Sequence, residues 1–251
     1  MKVTTHTFRA RFAKDIVTEF LLPRRPSRKV IIFLDGMPTI PSKKRLLEFW
    51  SQKGFWVFHP RYRGTWESEG SFLKTSPERD ILDLIAQLPR GFKSIWDGKY
   101  FSVQPTHIYL FGSSFGGAGA LLASRDKKIT KAIVLAPAVD WRVESRQEPI
   151  RVLRKLTKDA FGEAYRFSKK DWKKFEKGNF YNPMLHASEI RGEKILIFHA
   201  KDDLLVPWHS VSKFAEKTKS TLVMFKKGGH FSLSEILRPK FYKYIKIFLL
   251  H

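Results

Sequence analysis

The run Ile108-Tyr109-Leu110-Phe111-Gly112-Ser113-Ser114-Phe115-Gly116-Gly117 admits few backbone solutions. An apolar stretch reads as a strand, G-x-S-x-G follows, and small residues through Gly119 open a helix. A strand that turns into a helix over so few residues brings its backbone segments close together, and a Cβ at Gly112 or Gly116 would collide there. Ser114 is then held at strained dihedrals with its hydroxyl presented at the C-terminal edge of a sheet, as a serine nucleophile is displayed. An ordinary glycine-rich strand–helix connection has the same five-residue pattern, so these residues alone leave both readings open.

The surrounding chain supplies the context. Val30–Leu34, Phe55–Phe58, Ala132–Ala136, Lys194–Phe198 and Thr221–Phe225 are further strand-like apolar runs. Helical spacing occupies 42–53, the stretch after Ser76, the stretch after Ser114, 208–219 and the C-terminus from about Ser232. In Ser76-Pro77-Glu78, Ser76 is expected to cap its helix, with Pro and an acid in the first turn. Strand and helix in alternation build a mostly parallel sheet covered on both faces. Residues 3–22 precede it as an antiparallel β-hairpin turning at Lys14-Asp15.

One segment breaks the rhythm. Residues 140–186 carry Trp141, Phe161, Tyr165, Trp172 and Phe175 among many lysines and arginines, with no strand pattern. They enter directly after a central strand, at the sheet edge where open α/β folds bind ligands. The expected organisation is therefore one discontinuous core domain, 1–139 and 187–251, with 140–186 as a small helical lid. Arg142 and Arg146 on that segment suggest an acidic group on the substrate.

Lys and Arg number 47 against 24 Asp and Glu, a net charge of +23. Such a chain associates with polyanions at low salt, but its charge is spread along the length without a basic tail, so specific nucleic-acid binding is not expected. The absence of cysteine excludes disulfides, thiolate chemistry and Cys-ligated zinc. The eight histidines show no metal-ligand spacing, and no cofactor or metal is expected. The N-terminal residues lack a signal-peptide core, and no apolar run reaches the roughly 18 residues of a membrane span. These features favour a cytoplasmic protein; oligomeric state is not legible.

Three chemistry-bearing residues each follow an apolar strand: Ser114, then Asp203, then His230. Together with Gly112-Ser113-Ser114-Phe115-Gly116, the runs His199-Ala200-Lys201-Asp202-Asp203-Leu204-Leu205-Val206-Pro207 and Gly229-His230-Phe231 resemble the α/β-hydrolase-fold serine hydrolases, most closely their prolyl-oligopeptidase-like and esterase branches. The similarity runs from about residue 29 to the end and is weakest over 140–186. It implies an α/β-hydrolase fold and a Ser114–Asp203–His230 triad, with Asp203 rather than Asp202 as the acid. It also implies an oxyanion hole formed by the backbone N–H of Phe115 and that of Met37, in Asp35-Gly36-Met37 where relatives usually have His-Gly-X. Asp35 is the main departure. A carboxylate aimed at an oxyanion would oppose catalysis, so Asp35 must turn away or pair with a cation, Arg61 and Arg63 being the partners expected from sequence.

The implied activity is cleavage of a carboxylic ester through an acyl-serine, with turnover rising as His230 loses its proton. The substrate is a small-molecule ester or short peptide. Peptidase or amidase chemistry, acyl transfer and a non-catalytic basic binding module are the alternatives.

Overall fold

A computed structural model of the chain describes residues 7–250 apart from 144, 146 and 148, so Arg146 lies outside the described residues. Strands β1 (Phe8–Phe12) and β2 (Ile16–Leu21) pair antiparallel as the expected hairpin, with Ala13 and Lys14 at positive φ in its turn. β3 (Lys29–Leu34), α1 (Lys44–Gln52), β4 (Trp56–Pro60) and α2 (Glu78–Gln87) follow. Ser76 does not cap α2. Pro77 occupies the position before the helix, Arg79 N–H goes to the backbone oxygen of Ser76, and Ser76 Oγ turns to the Glu78 carboxylate.

A two-stranded ribbon, β5 (Phe92–Lys93) with β6 (Tyr100–Phe101), leads to β7 (His107–Ser113), α3 (Ser114–Ala123) and β8 (Lys131–Leu135). The segment after β8 forms α4 (Ile150–Phe161), α5 (Lys169–Glu176) and short 3-10 turns. The chain closes with β9 (Ile195–Ala200), α6 (Trp208–Thr218), β10 (Thr221–Phe225) and α7 (Pro239–Leu250). A 3-10 turn at Leu233–Leu237 precedes α7, so the last α-helix starts later than its apolar spacing suggests.

The sheet has eight strands in the order β1-β2-β4-β3-β7-β8-β9-β10, antiparallel at β1, β2 and β4 and parallel from β4 onward. Period-2 alternation divides its side chains. Val30, Ile32, Leu110, Val134 and Ile197 pack under α2, α3 and α6, while Ile31, Phe33, Phe111, Ile133 and Phe198 pack under α1 and α7. The basic C-terminal stretch thus closes the core, burying Phe241 and Ile245. No helix among the described residues is long and apolar enough to cross a membrane.

Topology places the site. From β3 the chain moves outward to β4, then returns to the other side of β3 as β7. The crevice between the C-terminal ends of β3 and β7 is the switch point where such sheets bind ligands. The β3–β7 register sets Leu34 opposite Gly112, so the loop beginning at Asp35 leaves beside the serine turn.

Candidate active site

Ser114 occupies the β7–α3 turn with φ +51°, a conformation costing a non-glycine residue about 1–3 kcal/mol. The two flanking glycines permit it. A Cβ on Gly112 would run into the backbone of Gly116, and one on Gly116 into the carbonyls of Leu34 and Asp35. The close approach therefore fixes the serine turn against the loop after β3, where an ideal Cβ on Gly36 would lie 3.3 Å from Ser114 Cβ. Phe115 N–H belongs to the first turn of α3, where helix N–H groups lack intrahelical acceptors. Among the described residues Met37 N–H likewise has no acceptor, and Met37 lines the same cleft as Ser114.

Asp203 and His230 meet from the loops after β9 and β10, with His230 Nδ1 2.9 Å from Asp203 Oδ2. A carboxylate only accepts, so Nδ1 carries a proton toward Asp203, and Nε2 is the ring nitrogen left outside that contact. Asp203 Oδ1 takes the N–H groups of Leu205 at 2.9 Å and Val206 at 3.0 Å. Burial works to raise the Asp203 pKa, but His230 and these two N–H groups outweigh it and hold the carboxyl below its ordinary value. Asp202 turns the other way and accepts Gly228 N–H at 3.1 Å and Gly229 N–H at 2.9 Å, anchoring the His230 loop. His199, fully buried at the end of β9, braces the acid loop through Nε2 and Val206 O, 3.1 Å apart. Burial lowers its pKa and favours the neutral ring.

Ser114 and His230 line one cleft of about 380 Å³, together with Met37 and Lys43. Among the described residues they share no direct hydrogen bond, a contact that in unliganded hydrolases often tightens only with substrate. A second, more closed cavity of about 60 Å³ reaches Ser114 from the other side, between Phe115, Trp141, Leu153 and Val206. Phe115 anchors this region: its ring packs on Tyr62, Phe72, Phe175 and Tyr181, and Tyr181 Oη donates to its carbonyl at 2.8 Å. Among the described residues no three His, Asp or Glu side chains converge as a metal site requires.

Asp35 is paired, but not to the arginines expected. Lys43 Nζ lies 3.0 Å from Oδ1 and His59 Nε2 2.7 Å from Oδ2. Arg61 sits one step behind, with Nη1 3.0 Å from His59 Nδ1 and Nη2 3.1 Å from Glu19. Since a guanidinium only donates, His59 Nδ1 accepts and its Nε2–H is directed at Asp35. Arg63 faces away, to Asp15, Asp80 and Asp83. Side-chain reach explains the outcome: His59 lies near the end of β4, one residue past Phe58, which pairs with Ile32 of β3, so its ring meets the loop, whereas Arg61 lies beyond the strand. Burial disfavours the Asp35 carboxylate, yet His59 and Lys43 hold its pKa below the ordinary value. Lys43 thus offsets the charge of Asp35, and His59 satisfies its second oxygen with a hydrogen bond. His59 and Lys43 went unrecognised in the sequence; the parallel pairing of their neighbouring strands was the signal that would have found His59.

At Glu19 burial pushes the carboxyl up, and His59 and Arg61 more than reverse it, to about 2. A folded pKa below the unfolded value of 4.5 contributes stability that is complete above about pH 4.5 and is lost as pH falls through about 2. Allowing for solvent screening, the contribution is on the order of 1–2 kcal/mol. Urea midpoints between pH 6 and pH 2.5 are expected to fall more steeply for the native chain than for Glu19→Gln; parallel curves would contradict the assignment.

The mostly parallel sheet and the match to a peptidase family model over most of the chain define a serine hydrolase of the α/β-hydrolase fold. Within that class it belongs to the prolyl oligopeptidase family, whose sequence pattern spans residues 41–251. Solved structures with the same fold include an esterase of Pyrococcus furiosus, with a TM-score of 0.69 at 17% identity, covering 98% of this chain and 90% of that one. The acylaminoacyl peptidase of Pyrococcus horikoshii superposes with a TM-score of 0.66 at 17% identity over 98% of this chain, which spans only 42% of that longer protein. A propionate-bound esterase of the Planctomycetes species Thermogutta terrifontis gives a TM-score of 0.60 at 18% identity, over 97% of this chain and 91% of that one. No curated protein matches the chain in sequence.

Proposed function

We propose that the chain hydrolyses carboxylic esters through an acyl intermediate on Ser114. The observation that carries this reading is the Asp203–His230 pair, 2.9 Å apart, opening on the cleft that contains the strained serine. His230 Nε2 takes the Ser114 proton as Oγ attacks the carbonyl carbon, and Asp203 stabilises the imidazolium. The tetrahedral oxyanion is received by Phe115 and Met37 N–H. Collapse expels the alkoxide, protonated by His230; a water activated by the same ring then releases the acid. Paired with Lys43 and His59, Asp35 leaves the hole to its two donors.

Residues 140–186 serve as the lid in this reading, since they wall the closed cavity through Trp141 and Leu153. Its small volume suits a short acyl group better than a peptide. The esterases of similar architecture, which this chain spans almost end to end, favour the same choice. Incubation with a fluorophosphonate probe is expected to place one adduct on Ser114 by mass spectrometry. A panel of p-nitrophenyl esters and aminoacyl-nitroanilides is expected to show short-chain esters cleaved fastest. An adduct elsewhere, or faster anilide cleavage, overturns the respective part; ester-plus-alcohol product analysis separates hydrolysis from acyl transfer.

A further inference from the structure

Helix α6 carries a row of basic side chains that the reaction does not use. His209, Lys213 and Lys217 recur every four residues, so they stack along one face, and all three are exposed. Like charges at this spacing disfavour a helix. Among the described residues neither lysine has a carboxylate within ion-pair distance. The row borders a groove of about 460 Å³, whose other wall includes Arg142, Val143 and Met184. Asp140, the one acid among the described residues that line the groove, is already satisfied, accepting from Arg142 and from Asn182 Nδ2 at 2.8 Å.

The groove adjoins the active site. Asp140, Val143, Pro207 and Ser210 line both it and the closed cavity at Ser114. A molecule whose carbonyl lies at Ser114 therefore has a path toward the lysines. Lys213 lies three residues beyond Ser210, roughly 4.5 Å along the helix, and Lys217 about 6 Å further.

Resting on the hydrolase reading, we infer that this groove is a subsite for a carboxylate tethered to the reacting ester. The favoured substrate is a half-ester of a dicarboxylic acid, or the acyl ester of a hydroxy acid. A flexible aliphatic tether crosses the narrow apolar part, and the anion ends among Lys213, Lys217 and His209. The two sources share one chemistry and differ in which side of the scissile bond carries the charge.

The test compares charged and neutral partners of matched length by pH-stat. Monomethyl adipate against dimethyl adipate probes the acyl side; 6-acetoxyhexanoate against its methyl ester probes the leaving side. In at least one arm the anionic member is expected to be favoured in kcat/KM by about tenfold at low salt, declining as salt screens the lysines. The Lys213→Ala/Lys217→Ala variant should lose that preference while keeping turnover of the neutral esters. Equal kcat/KM in both arms, or a preference that survives the double substitution, overturns the subsite and leaves the hydrolase reading standing. No cleavage of any ester, with no fluorophosphonate adduct on Ser114, overturns both.

Discussion

Ser114→Ala and His230→Ala are each expected to lower ester kcat by about 10⁴-fold or more, and the double variant to lower it no further. The two residues act as a unit. Without the base, the hydroxyl at Ser114 keeps its proton; without the hydroxyl, the base has nothing to activate. Asp203→Asn should lose activity on a similar scale, because an amide facing His230 Nδ1 from 2.9 Å no longer enforces the tautomer that frees Nε2. Residual turnover in all three should come from the two backbone donors and from binding. Steady-state kinetics on one p-nitrophenyl ester decides it. Multiplicative losses in the double variant, or a Ser114→Ala enzyme within tenfold of native, would place the nucleophile elsewhere.

Gly116→Ala is expected to destabilise the fold by about 3 kcal/mol or more, a large effect for one methyl group. The added carbon would meet the backbone carbonyls of Leu34 and Asp35, and backbone in a central strand pair does not swing aside as a flexible side chain does. Relief requires β3 and α3 to separate. That movement also carries Met37 away from Ser114, so surviving protein should turn over ester more slowly. Urea unfolding measures the first effect and kcat on the soluble fraction the second. A variant within about 1 kcal/mol of native would show that the turn has slack the structure does not suggest.

Much of this architecture was legible in the chain because its central strands are buried on both faces and so read as uninterrupted apolar runs. The meeting of Asp203 with His230 on the cleft that holds Ser114 was legible for a related reason: each of the three lies in the segment after such a run, and a parallel sheet delivers those strand ends to one edge. The preference for Asp203 over Asp202 agrees with the geometry, in which only Asp203 faces the histidine. What escaped depends on side-chain reach between elements distant in sequence. Asp35 found His59 and Lys43 because strand pairing and the start of α1 bring them to it, whereas sequence proximity pointed to Arg61 and Arg63. Ser76 was misassigned because a proline one position later moved the helix start. The ribbon at β5 and β6 was missed because two residues per strand leave no alternation to detect.

The order of strands across the sheet has one more outcome. Ser114 and Met37 are carried by β7 and β3, an interior pair hydrogen-bonded on both flanks, while His230 hangs from the loop after β10, the outermost strand, whose side chains are only half covered. Ser114 and His230, the proposed nucleophile and base, are therefore expected to belong to regions of unequal local stability. Under the proposed reading, opening of the outer strand alone would withdraw the base and leave the nucleophile's surroundings intact. Mild denaturant is then expected to abolish ester turnover at a lower concentration than it unfolds the core, because the first change requires far less of the molecule to come apart.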